Sequence, residues 1–407
     1  MQTPQTRRDP DAAHEARHLA LIVIAVGVTC ALHIGKLPVA IPVLREALQL
    51  SLVQAGFLLS MVQFAGMTLG LLMGLVADRL GARRVMQAGL LLLAAGSAAG
   101  ALAPDVHWLL LSRVVEGMGF LLTVLPAPGL LRQRVHHAPT LARALGWWGA
   151  YMPLGMATAL LLGAPLMGVL GWRGAWLLLS LVSALAMLVF TWRVPPDTDD
   201  HHAQRKLPLW PRLRRTLSVP GPWLVAIGFF LYSSQWMAVV GFLPTVYSQA
   251  GYSGPVVGAL TALAAGINMV GNIAAGRWLA RGAQPGVLMG VAYLAMIAGA
   301  AVAFSAWAPP LLQYLAVLLF SCVGGLIPGT LFGVSVSLAP DPGTVSTTVG
   351  WMQQLSALGQ FLGPPAVAWL AVLVGGWQWT WLATGACSVL GCCVAAGLQR
   401  TWAQRAT

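Results

Sequence analysis

Gly74-Leu75-Val76-Ala77-Asp78-Arg79-Leu80-Gly81-Ala82-Arg83-Arg84 is a short charged turn set between two long apolar runs. It carries Asp78, one of only eleven acidic residues in a chain of 407. Gly81 allows the tight reversal that a residue with a Cβ resists, and Arg79, Arg83 and Arg84 put three positive charges at the end shared by both runs. Where such runs cross a bilayer, charge of this sign marks the cytoplasmic face. The stretch therefore reads as the inner turn between two antiparallel membrane helices.

The rest of the chain supports a membrane setting. Hydrophobic residues make up 58% of it and charged residues 8%, too much apolar surface for a soluble domain. A net charge of +12 is compatible with a nucleic-acid partner in principle, but the charges sit in short loops that alternate with apolar runs, so they encode topology instead. The five cysteines, Cys30, Cys322, Cys387, Cys392 and Cys393, lie inside apolar runs without the spacing of a zinc site or a disulfide framework, and they read as small packing residues. The first eighteen residues are polar, with Arg7, Arg8 and Arg17, so the first apolar run is expected to stay as a membrane helix.

A bilayer-spanning helix needs about 20 apolar residues, and twelve segments qualify: 19–43, 52–76, 85–103, 108–131, 145–169, 174–193, 223–247, 254–276, 287–307, 310–338, 346–374 and 378–398. Between the sixth and seventh lies 194–222, with six prolines, Asp197, Asp199, Asp200 and the basic cluster Arg205, Lys206, Arg212, Arg214 and Arg215. It reads as a linker with one surface helix. The expected organisation is an N-terminal half over 1–193, the linker over 194–222 and a C-terminal half over 223–407. With the amino terminus inside, 19 of the 23 basic residues fall on inner segments and only Arg45 and Arg173 on outer ones, which places both termini in the cytoplasm. Tryptophans 108, 172, 176, 307, 377, 379 and 381 then gather at the outer interface.

An internal repeat supports the two halves. Pro42, Ser51, Gly56, Gly74 and Arg79 recur as Pro244, Ser253, Gly258, Gly276 and Arg281 at a constant shift of 202. Gly146-Trp147 and Gly155 recur as Gly350-Trp351 and Gly359 at 204, and Gly171-Trp172 and Trp176 as Gly376-Trp377 and Trp381 at 205. A slow, ordered drift of this kind fits two six-helix units of parallel order.

The pattern of Gly74, Asp78, Arg79, Gly81, Arg83 and Arg84 resembles the signature loop between the second and third helices of the major facilitator superfamily of transporters. The resemblance implies an all-α membrane fold of twelve helices in two pseudo-symmetric halves, working by alternating access, with these six residues forming a conformational switch. It implies that Asp78 docks on the start of the eleventh helix, near Ser346 to Thr348, and on Arg132 or Arg134. Asp78 as a helix cap, or as a counter-charge to its own arginines, is the alternative. The second half has Ala280 in the equivalent place, so the acidic loop exists once.

Ionisable side chains far from the membrane faces are functional candidates by default. Four qualify: His33 and Lys36 in the first helix, Arg113 and Glu116 in the fourth, each pair spaced i, i+3 and so sharing a helix face. The family's first, fourth, seventh and tenth helices line a central cavity, which would bring these faces together there. Arg113 to Gly119 also resembles the fourth-helix motif associated with proton coupling, with Glu116 where a glutamine is often found. Two readings of Arg113 and Glu116 stand open, a proton-coupling site and a structural ion pair. His33 is either a substrate or proton group or a packing residue. Lys36 either binds an anionic group of the substrate or snorkels to the outer interface.

Around the same cavity the sequence offers Tyr232, Gln235 and Trp236 on the seventh helix, Tyr151 on the fifth, and Gln353 and Gln354 on the eleventh, a mix that suits a modest organic solute. The eleventh helix has Gly350, Gly359, Gly363 and Pro364 in the spacing of the antiporter motif that drug exporters carry in their fifth. Here the fifth has Ala159 and Leu160 in place of the Gly-Pro pair, against a drug antiporter. Gly35-Lys36-Leu37-Pro38 through Ser51, with Gly171-Trp172-Arg173, is similar to the cyanate and nitroimidazole permease branch. There is no phosphate-binding Gly-Lys-Ser loop for ATP, and His136-His137 and His201-His202 lie in loops without companion ligands. The expected protein is thus not an enzyme and has no cofactor, metal or nucleic-acid partner. It is a monomeric proton-coupled carrier of a small organic solute in a bacterial-type inner membrane. An exporter of a siderophore, other secondary metabolite or drug is the main rival, and a solute sensor that does not transport is the second.

Overall fold

The computed structural model describes residues 10–135, 137–196 and 209–406, and among them every regular element is helical. The side chains of 74–79 lie outside the described set, and with them the expected docking of Asp78 and the roles of Gly74 and Arg79. Gly81 is described. It takes φ +90° as the N-cap residue of Ala82–Ala101, the backbone conformation that a Cβ disfavours.

Eleven helices among the described residues are long and apolar enough to cross a bilayer, one fewer than the twelve expected. The difference lies in Tyr151–Arg193, a single element of 43 residues. At about 1.5 Å per residue it measures about 65 Å, twice the roughly 30 Å of a hydrocarbon core. Gly171, with φ 66° and ψ 169°, breaks it, giving a fifth span over 151–170 and a sixth over 172–193. The other spans in order are Pro10–Ala47, Leu52–Ser60 continued by Phe64–Leu80, Ala82–Ala101 and Val106–Val124 in the first half of the chain. The second half supplies Pro220–Gln249, Gly254–Gly266 continued by Asn268–Ala280, Pro285–Ala303, Pro310–Gly324 continued by Leu326–Leu338, Val345–Val374 and Thr380–Ala406. Twelve crossings bring both chain ends to one face.

Local chemistry accounts for many boundaries. Ser51 closes a capping box with Gln54, each side chain bonding the other's backbone N–H at 3.1 and 2.9 Å. Asp105 accepts from the Trp108 backbone N–H at 2.9 Å. Proline stands in the first turn of Pro220–Gln249, Gly254–Gly266, Pro285–Ala303 and Pro310–Gly324, where its missing N–H costs nothing.

The sequence repeat reappears as repeated geometry. Ser51 (φ −66°, ψ 159°) and Ser253 (φ −67°, ψ 152°) are both N-cap residues of their spans. A Cβ on Gly155 would lie 2.6 Å from the Val28 carbonyl oxygen, and one on its counterpart Gly359 would lie 2.5 Å from that of Phe230. Val28 and Phe230 are themselves 202 residues apart. The fifth span thus presses on the first as the eleventh presses on the seventh, backbone to backbone, the close approach that small residues permit where lipid offers no hydrophobic drive between helices.

The halves of the chain meet along two seams. The second span runs against the eleventh, with Gly56 facing the Pro364–Pro365 backbone and Gly66 facing Ala357. The fifth runs against the eighth, with Gly258 facing the Leu160 carbonyl. At the face opposite the chain ends, Leu37, Ile41, Leu59, Phe242 and Ala368 join the first, second, seventh and eleventh spans in one buried apolar cluster, which shuts the molecule there. Trp172 and Trp176, expected at the interface, are buried in the same cluster. Trp108, Trp307 and Trp379, also expected there, are exposed.

Candidate functional site

The four intramembrane ionisable residues form one cluster. The i, i+3 spacing turns His33 and Lys36 from the first span, and Arg113 and Glu116 from the fourth, toward each other. Glu116 Oε1 accepts from Lys36 Nζ and Oε2 accepts from Arg113 Nη1. His33 directs Nδ1 at the same carboxylate, 3.5 Å from Oε1, long for a hydrogen bond. His33, Arg113 and Glu116 have no exposed surface and Lys36 retains 4%. The snorkelling reading of Lys36 is overturned, because its ammonium turns inward to the carboxylate.

The cluster is built behind the first and fourth spans rather than opposite the seventh. Lys36 Nζ also donates to Ser97 Oγ at 2.9 Å, Ser97 Oγ donates to the Trp176 carbonyl at 2.8 Å, and the ammonium lies 4.5 Å from the centre of the Trp176 ring. His33 Nε2 is 2.7 Å from Ser183 Oγ, and Arg113 Nη1 also donates to the His33 carbonyl at 3.0 Å. Ser97 belongs to the third span, Trp176 and Ser183 to the sixth. Gly96 makes room for the carboxylate, since a Cβ there would lie 2.9 Å from Glu116 Cγ.

Two features give this cluster chemical potential. Two basic side chains, Lys36 and Arg113, share one carboxylate, so with both protonated the buried charge does not balance. In addition, Arg113 Nε and Nη2 are buried without a hydrogen-bond partner, as are His33 Nδ1 and Trp176 Nε1. Buried donors are nearly always satisfied, and the Nε/Nη2 edge of a guanidinium is the fork that matches the two oxygens of a carboxylate.

The remaining candidates scatter. Tyr232 and Trp236, ring centres 6.5 Å apart, face the eighth and tenth spans. Asn268 Nδ2 donates to Tyr232 OH at 2.9 Å and to the Ser321 carbonyl at 2.8 Å, and Trp236 Nε1 donates to Ser321 Oγ at 3.1 Å. Gln235 turns the other way, accepting from Ser388 of the twelfth span at 2.9 Å. Gln354 accepts from the Leu71 N–H at 3.2 Å and donates to the Met67 carbonyl at 2.8 Å, fastening the second span to the eleventh. Gln353 is half-buried, and its side chain makes no hydrogen bond among the described residues. Tyr151 stacks on Trp148 at 4.6 Å.

Near the charged turn, Arg83 donates to the carbonyls of Val194 and Thr191, each at 2.7 Å, and so holds the end of the sixth span. Arg84 is exposed. Arg134 donates to the Pro196 carbonyl at 2.5 Å, and Ser346, where the loop carboxylate was expected, accepts from Arg212 at 2.9 Å. Ser97, Ser183, Asn268 and Ser321 were not anticipated. A serine in an apolar run carries no signal of its own, but Asn268 did: it and Asn272 are the chain's only asparagines, one helical turn apart inside a span.

A model of the Major Facilitator Superfamily matches residues 19–361. The chain belongs to this superfamily. A solved structure of a bacterial homolog to the human lysosomal transporter Spinster, in an inward-facing and unoccupied conformation, superposes with a TM-score of 0.74 at 17% identity, over 98% of this chain and 99% of that one. The same homolog in an inward-facing and occupied conformation gives 0.77 at 16% identity, over 95% and 96%. A D-xylose-proton symporter gives 0.72 at 16%, over 92% and 96%. No curated protein matches the chain. Members of the superfamily are membrane transporters, so this chain is a major-facilitator protein with the fold of a transporter. At these identities the structures speak to the fold alone.

Proposed function

We propose that this major-facilitator protein is a proton-coupled carrier of a small organic anion, moving it across the inner membrane by alternating access, with Glu116 as the proton site. The observation that carries the reading is the buried carboxylate set between Lys36 and Arg113. While Glu116 is ionised it occupies both cations. Once protonated it no longer neutralises either, and the cluster goes from one excess positive charge to two. An intramembrane charge of that size is costly, and a solute carboxylate taken by Lys36 and by the unfilled Nε/Nη2 edge of Arg113 would relieve it. Proton and anion then bind cooperatively, each raising the other's affinity by the same factor.

In the described conformation the cluster is closed, so exchange belongs to a state in which the first and fourth spans part from the third and sixth. Tyr232, Trp236 and Gln235 of the seventh span are buried and bonded to the eighth, tenth and twelfth spans, so in this reading they would meet the remainder of the solute only after the C-terminal half rearranges. The structural ion pair is the competing reading, and the surplus cation speaks against it, since a pair built only for packing needs one cation.

Proteoliposomes holding the full chain, screened with labelled monocarboxylates, dicarboxylates and neutral sugars, test the reading. Carboxylates should be taken up when the outside is acidified, and Lys36→Ala should weaken their binding at least tenfold. Uptake of neutral solutes only, or unchanged affinity in Lys36→Ala, would overturn it.

A further inference from the structure

The nine-residue helix Leu209–Leu217 lies between the two halves of the chain and is used by none of the chemistry above. Its orientation is fixed from one side. Arg212 and Thr216, one turn apart, are buried, and Arg212 Nη2 donates to Ser346 Oγ at the start of the eleventh span at 2.9 Å. Pinning that face turns the opposite one outward. Trp210 is 73% exposed, and Pro211, Arg214, Arg215 and Ser218 are exposed beside it. Together these five line an open cavity of about 360 Å³.

The position of this cavity is also fixed. Only Ser218 and Val219 separate the helix from the seventh span at Pro220, and Trp223, in the first turn of that span, donates its Nε1–H to the Leu217 carbonyl at 3.0 Å. The helix therefore sits where the bilayer begins, on the face that carries the chain ends. Arg215 has a distant acidic neighbour in Asp341, 3.8 Å away, whereas Arg214 has no acidic partner among the described residues.

We propose that this cavity is a binding site for the headgroup of an anionic phospholipid. Arg214 and Arg215 supply the charge for the phosphate. Trp210 supplies the amphipathic ring that settles at headgroup depth, and Ser218 supplies a hydroxyl at the rim. Basic residues on an interfacial helix recognise anionic lipid in this way, each arginine strengthening attachment on the order of fivefold. Because Arg212 ties the same helix to the eleventh span, a lipid held here bears on a helix that forms one of the two seams between the halves.

Lipid retention by the purified full chain in mild detergent, read by native mass spectrometry, tests the site. The wild type should retain phosphatidylglycerol in preference to phosphatidylcholine. Arg214→Gln should lower that retention about fivefold, Trp210→Ala should lower it as well, and Arg400→Gln, an equal loss of charge elsewhere on the same face, should leave it unchanged. Equal retention of the two lipids, or equal effects of Arg214→Gln and Arg400→Gln, overturns the proposal. So does displacement of the lipid by millimolar inorganic phosphate, which would make the site one for a soluble anion. Substituting the exposed Arg214 leaves the buried Arg212 anchor intact, and a thermal melt matching the wild type confirms that the helix is still folded.

Discussion

Glu116→Gln removes the single negative charge that Lys36 and Arg113 share and leaves two cations in a pocket where only Lys36 retains any exposed surface, at 4%. Breaking a buried ion pair by removing one partner costs about 3–5 kcal/mol, and two stranded cations place this variant toward the upper end. Lys36→Met behaves differently. It loses the bonds to Glu116 and Ser97 and the contact with the Trp176 ring, but it also abolishes the desolvation of an ammonium and leaves Arg113 and Glu116 matched one to one. A net cost of about 1–2 kcal/mol follows. Introduced into Glu116→Gln, the same Lys36→Met change removes one of the two unneutralised cations, so it should restore stability. The four proteins of the cycle, unfolded in detergent micelles by heat or by titrated SDS, should give an interaction energy of about 2–3 kcal/mol between the two sites. Additivity within about 0.5 kcal/mol would refute the shared-carboxylate arrangement.

Other consequences concern packing and topology. Gly117→Ala and Gly271→Ala would place a Cβ 2.2 Å from the Val62 carbonyl oxygen and 2.0 Å from that of Cys322, clashes with neighbouring backbone that no rotamer relieves. Both should lose about 2 kcal/mol or more, whereas Gly276→Ala, with nothing within 4 Å of its Cβ, should melt like the wild type. Equal melting of the three in fluorescence-detected size-exclusion assays contradicts this. In a background without the native cysteines, a membrane-impermeant maleimide should label Trp307→Cys in intact cells and Ser218→Cys only after the membrane is opened, from the 19-to-2 distribution of basic residues. The reverse pattern inverts the topology.

How far the sequence disclosed this molecule depends on the range of the interaction concerned. Span 310–338 was legible because it depends on hydropathy alone, whereas Ser51 and Ser253 stood out only as repeat partners and their N-cap role came from the structure. The repeat was legible because glycine and proline are tied to backbone geometry, and because they recur with tryptophan in both halves at a nearly constant shift. Within the site, the i, i+3 pairs 33/36 and 113/116 showed which side chains share a face, and scarcity of charge marked them as special. What lay beyond reach was azimuth, the direction each face takes around the bundle. The family resemblance aimed the pairs at a central cavity, but their hydrogen bonds run to Ser97, Trp176 and Ser183 on the third and sixth spans. Trp176 illustrates the difficulty. Near a span end a tryptophan usually marks the interface, but this one is buried in the apolar cluster with Leu37 and Ile41 and has the Lys36 ammonium 4.5 Å from its ring centre. Gln235 and Trp236 are sequence neighbours that face different helices, a separation of about 100° that composition alone cannot assign to one wall or another.

Proton coupling through Glu116 can be separated from simple binding by one comparison of two transport modes. Proteoliposomes containing wild type or Glu116→Gln are loaded with an unlabelled carboxylate found to be a substrate, and labelled substrate is followed in two modes, exchange at equal pH and net uptake driven by an acid outside. Glu116→Gln, a standing mimic of the protonated carboxyl, should keep exchange near the wild-type rate and fail to concentrate substrate under the pH gradient. A Glu116→Gln protein that still accumulates substrate against its gradient when the outside is acidified would contradict coupling through this carboxyl.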